Sequence, residues 1–112
     1  MVSYPMKTVH VDASEIKDWP SFYDAFSKAF GFPQFFGRNM DAWIDCMSNL
    51  DEEFSEVQVA PGELVCVALD NVAEFKTRCP DQFAAFVECA AFVNWRRLEV
   101  GEPAILVVSF NA

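Results

Sequence analysis

The sequence predicts an α/β protein, a three-stranded parallel sheet packed with about four helices. Three observations point there. Segments 7–12, 64–69 and 104–110 are valine-bearing runs of strand length. Between each successive pair lie two segments whose apolar residues recur at helical spacing. The middle run, LVCVAL, is apolar without alternation, as suits a strand covered on both faces of a parallel sheet. Strands joined through helices pair in parallel by right-handed crossovers.

Lys7–Asp12 alternates polar and apolar residues around Val9 and Val11, and His10 falls on the opposite face as a surface or packing histidine. Asp18 is placed to cap a helix beginning Trp19-Pro20, where proline's missing amide costs little. Phe22, Ala25, Phe26, Ala29 and Phe30 form its buried stripe, and Gly31 ends it.

Phe35–Leu50, FFGRNMDAWIDCMSNL, opens as a loop and becomes a second helix. Gly37 is free to take a left-handed backbone. Asn39 is a good N-cap, because its side-chain oxygen accepts from an unpaired amide of the first turn. Met40, Trp43, Ile44 and Met47 follow at i, i+3, i+4, i+7 as one apolar face. A separate stripe carries Asp41, Asp45 and Ser48, with Asp41 in the first turn, where the helix dipole favours a negative charge.

Asp51–Pro61 reads as a loop with a short extended piece at Glu56–Val59. After the central strand, Asn71 and Glu74 have the spacing of a variant capping box for a short helix to about Arg78. Pro80-Asp81 opens a longer helix buried through Phe83, Phe86, Val87, Ala90, Ala91 and Val93. Asn94–Pro103 reads as that helix's end and a turn, with Arg96 and Arg97 facing its C-terminal carbonyls. Ala104–Phe110 is the last buried strand.

At 112 residues, 53% of them hydrophobic, the chain is expected to form a single domain over 1–112 with a core that needs no disulfide or metal. Its net charge of −9 excludes ordinary nucleic-acid binding and argues against an anionic membrane; it favours a basic partner. No segment reads as a signal peptide or a membrane span. Cys46, Cys66, Cys79 and Cys89 form no CxxC pair and lie in apolar segments, as expected of reduced thiols in a cytoplasmic protein. One histidine and no recurring ligand spacing leave no metal site, and no cofactor motif is present.

From Asp41 to Glu56 there are six acidic residues and no basic one, so the stripe has no local salt-bridge partner. The loop leading in, GFPQFFG, is aromatic yet broken by glycine and proline. Together they suggest a surface made for a basic partner. Asp41 and Asp45 are also the only pair suggesting acid–base or metal chemistry. As i, i+4 neighbours on a convex helix, however, they lack the cleft that catalytic carboxylates usually occupy, and the chain is not expected to be an enzyme.

The stretch Phe35-Phe36-Gly37-Arg38-Asn39-Met40-Asp41-Ala42-Trp43-Ile44-Asp45-Cys46-Met47-Ser48 resembles the signature of the barstar family of intracellular ribonuclease inhibitors. In that pattern an aromatic pair, a glycine, a variable residue and an asparagine lead into hydrophobic-Asp-Ala-x-x-Asp-Cys-hydrophobic-Ser/Thr. The resemblance implies a barstar-like fold and no cofactor. It also implies a docking face made by Phe35, Gly37, Asn39, Asp41, Ile44, Asp45, Ser48 and, on the last helix, Glu88. Asp45 would be the central anion standing in for an RNA phosphate, Asp41 its support, Phe35 an aromatic that stacks in the partner's cleft, and Glu88 a peripheral contact. The implied partner is a basic extracellular-type ribonuclease or a toxin nuclease, met by a chain that is a monomer when free, as in toxin–antitoxin immunity. The sequence departs from the pattern at the tyrosine pair (Phe35-Phe36), at the tryptophan before the second aspartate (Ile44), at an aromatic beyond the helix (Leu50) and at a second acid on the last helix (Phe92). The alternative is a barstar-like binding or immunity module whose basic partner is not a ribonuclease.

Overall fold

A computed structural model describes residues 5–33, 36–52 and 55–112. Strand β1 (Met6–Asp12) leads through a 3-10 turn (Ala13–Glu15) to helices α1 (Trp19–Phe30) and α2 (Met40–Ser48). Strand β2 (Leu64–Asp70) is followed by α3 (Val72–Arg78), α4 (Pro80–Glu99) and β3 (Leu106–Phe110). The sheet order is β1-β2-β3 and both pairings are parallel, with Met6 opposite Leu64 and Val65 opposite Leu106. The predicted α/β class, parallel sheet and four helices are thus observed. The extended piece expected at Glu56–Val59 forms no strand, although Val57 and Val59 pack against the core.

Local chemistry accounts for most element boundaries. Asp18 accepts from Ser21 N at 2.9 Å, and the Ser21 hydroxyl accepts in return from Asp18 N at 3.0 Å, closing a reciprocal cap on α1. Gly31 ends that helix in the left-handed region, at φ +66°. The cap predicted for α3 does not form. Asn71 lies at φ +61° and turns its side chain away, donating to Asp12 Oδ1 at 2.9 Å. A left-handed asparagine makes the sharp strand-to-helix turn instead of capping the helix.

One face of the sheet carries the core: Val9 and Val11, Val65, Val67 and Leu69, and Leu106 and Val108 meet the helices. Phe22, Phe26 and Phe30 of α1, Trp43 and Met47 of α2, Phe75 of α3 and Phe86 and Val93 of α4 close it, nearly all inaccessible to water. On the other face Thr8, His10 and Val107 are exposed. Cys66 and Ala68 are buried there between their neighbours yet stand outside the core cluster. So β2 reads as apolar throughout because its flanking strands shield the far face, not because helices cover both. Val87 and Ala91, expected to be buried, are exposed, and Phe86, Ala90, Val93 and Arg97 form the inward stripe of α4. Among the described residues no helix is long and apolar enough to cross a membrane.

Candidate functional site

Residues 37–39 and the first turn of α2 are held by side chains. Asn39 Oδ1 accepts from Ala42 N at 2.8 Å, the N-cap that its sequence position predicts. Its Nδ2 donates to the Gly37 carbonyl at 3.2 Å, tightening the turn before the helix. The left-handed residue is Arg38, at φ +53°, rather than Gly37. Arg38 is tied down on both sides, donating to Asp24 Oδ1 at 2.8 Å and to the Pro20 carbonyl at 3.0 Å. Gly37 serves by its small size, since a Cβ there would come within 3.3 Å of Asn39 Nδ2.

The helix beyond this cap presents two exposed carboxylates. Among the described residues Asp41 pairs with no cation. Asp45 receives a bond of 2.8 Å from Arg96 Nη1 to its Oδ1, with both side chains about half exposed or more, at 62% for Asp45 and 47% for Arg96. Glu88 is exposed on α4, which packs against α2. Burial pushes the Cys89 thiol up from its ordinary pKa, and the charges of Glu88 and Asp41 push it further. Burial raises Cys46 likewise, with Asp45 adding to it.

An open hollow of about 480 Å³ lies beside Asp45, walled by Phe30, Phe32, Leu50, Asn49 and Glu56. Its floor is largely apolar and its rim carries the Asp45 and Glu56 carboxylates.

A family model described as Barstar (barnase inhibitor) matches residues 6–108, nearly the whole chain. The chain belongs to the barstar family. A comparison with curated proteins gives no match. The parallel three-stranded sheet with four helices agrees with the barstar fold.

Within this barstar-family frame the predicted site residues separate. Gly37, Asn39, Asp41, Asp45 and Glu88 all reach the surface. Phe35 lies outside the described residues. Two expectations are corrected. Ile44 is 9% exposed and belongs to the core cluster, because an unbranched run of apolar neighbours at i−4 and i+3 draws it inward. Ser48 is also buried; its hydroxyl donates back to the Ile44 carbonyl at 2.6 Å, so it satisfies its own helix instead of meeting a partner.

The acidic stripe has no local salt-bridge partner, as expected, but it gains distant ones. The partners come from the far end of α4. Arg96 takes Asp45, and Arg97 takes Asp51 at 3.0 and 3.2 Å, the Ser48 carbonyl at 2.7 Å and the Pro103 carbonyl at 2.8 Å. A count confined to 41–56 misses residues some fifty positions away. One signal was available: Arg97 continues the spacing Phe86, Ala90, Val93, which places an arginine in a buried stripe and demands acceptors for it.

Proposed function

We propose that the chain inhibits a basic ribonuclease, setting the acidic stripe of α2 into the enzyme's cationic active site as an uncleavable replacement for RNA phosphate. One observation carries the reading: Asp41 and Asp45 stand exposed on α2, and Asp41 has no cation of its own among the described residues. The family match supports it. The Arg96–Asp45 bond does not close the site. A half-exposed ion pair contributes only about 0–1 kcal/mol, which a buried arginine or lysine of the partner can outbid. The hollow beside Asp45 accepts such a side chain, with its aliphatic stem on Phe30 and Phe32. Net charge −9 draws a basic enzyme in. The four free thiols suit a reducing, cytoplasmic setting, where the chain would protect its own cell from a secreted or toxin nuclease.

The test is RNA cleavage by a panel of purified basic microbial ribonucleases and toxin nucleases, with and without the protein. Stoichiometric inhibition of at least one, lost in Asp45→Ala, is expected. A panel left untouched, with a captured basic partner that cleaves no RNA, would instead establish a binding module for a non-nuclease.

A further inference from the structure

We propose that Phe92 and Trp95 extend the docking face along the outer side of α4, selecting a ribonuclease whose basic cleft is bordered by an apolar ledge. This rests on the inhibitor reading and adds to it which surface the enzyme must offer.

Glu88, Phe92 and Arg96 fall at i, i+4 and i+8 of α4 and form one exposed stripe. The C-terminal end of the stripe meets the acidic face of α2, where Arg96 bonds Asp45. Phe92 lies one turn before Arg96, with its ring 5.5 Å from that of Trp95 and tilted 35° to it. The rings are 44% and 55% exposed and neither belongs to the core cluster, so the pair does not serve to close the fold. Stacked aromatics of this kind supply large, rigid contact area and are enriched where interfaces lose their water.

Charge selects the occupant. The pair is bordered by the exposed carboxylates Glu88 and Glu99, and the neighbouring Arg96 is bonded to Asp45. A second copy of this chain would press the same acidic border, and a net charge of −9, against itself. A basic protein with an apolar centre meets both the rings and their rim.

The full chain and the variant Phe92→Ser/Trp95→Ser are compared against the ribonuclease panel, with Asp45→Ala as control and thermal melts to verify folding. The double variant is expected to raise the inhibition constant roughly tenfold or more, with an unchanged melting profile. If it inhibits like the unaltered chain while Asp45→Ala does not, the aromatic contact is refuted and the inhibitor reading stands. If the unaltered chain inhibits nothing, both fall. If sedimentation shows an aromatic-dependent dimer whose loss leaves inhibition intact, the pair serves self-association and the proposal is overturned. Should the double variant melt early, Trp95→Gln alone, at the more exposed ring, decides between the same outcomes.

Discussion

At the residue scale the two arginines of α4 divide the acidic residues into different jobs. Asp51 holds a guanidinium whose side chain is only 5% exposed, so Asp51→Ala strands a buried charge that keeps only its carbonyl and Glu102 contacts. It is expected to lower stability by about 1–3 kcal/mol in urea unfolding and to leave inhibition little changed. Asp45→Ala should do the reverse. Unfolding free energy moves by less than about 0.5 kcal/mol, while binding weakens by roughly 2–5 kcal/mol, a range known for interfacial charge pairs in general, the barnase–barstar pair included. Arg96→Gln frees Asp45 from its internal partner and removes a positive charge facing a basic enzyme. Titration of ribonuclease activity should therefore show inhibition tightened by about two- to five-fold, the equivalent of an exposed pair; weakened inhibition would mean that Arg96 instead holds Asp45 in its productive pose. The carboxylates themselves were legible in the sequence, because helical spacing puts Asp41 and Asp45 on one stripe. The pairing of Asp45 was not, because Arg96 comes from another helix. Ser48 shares the stripe by angle but is buried, a depth that periodicity does not encode.

At the element scale α2 depends on its first turn. Asn39→Ala removes the acceptor for Ala42 N and the donor to Gly37, and should cost about 1 kcal/mol in thermal or urea unfolding. Because the same turn aims Asp41, inhibition should weaken in step; a stability loss without any change in inhibition would separate the cap from the site. Helix starts and the Asp18 and Asn39 caps could be read from the sequence because each rests on neighbours within four positions. Asn71 misled for the opposite reason. Its spacing to Glu74 imitates a cap, but its side chain is claimed by Asp12 across the sheet. β2 is buried on both faces as expected, but without helices over both, since a central strand shielded by its neighbours is as apolar as one between two layers of helices.

At the scale of the whole molecule, charge governs both stability and encounter. Asp18 is held below its ordinary pKa of 3.8 by the Ser21 hydroxyl, Asp12 by Ser14 and Asn71, and Asp70 by Asn111 and then His10. A depressed carboxyl stabilises the fold above its unfolded pKa and loses that contribution as pH falls through the lower folded value. Asn111→Ala should therefore be less stable than the unaltered chain near neutral pH, and the gap should close in unfolding curves recorded well below pH 3.8. Association with a basic enzyme should slow as salt rises, in proportion to screening of the −9 field, while dissociation changes little. The buried Arg97 has a further consequence. By fastening the end of α2 to α4 and to the turn at Pro103, it sets the gap between the carboxylates of one helix and the rings of the other before any enzyme arrives. A receptor surface prepared in this way loses little mobility on docking, and for the same reason it has little give.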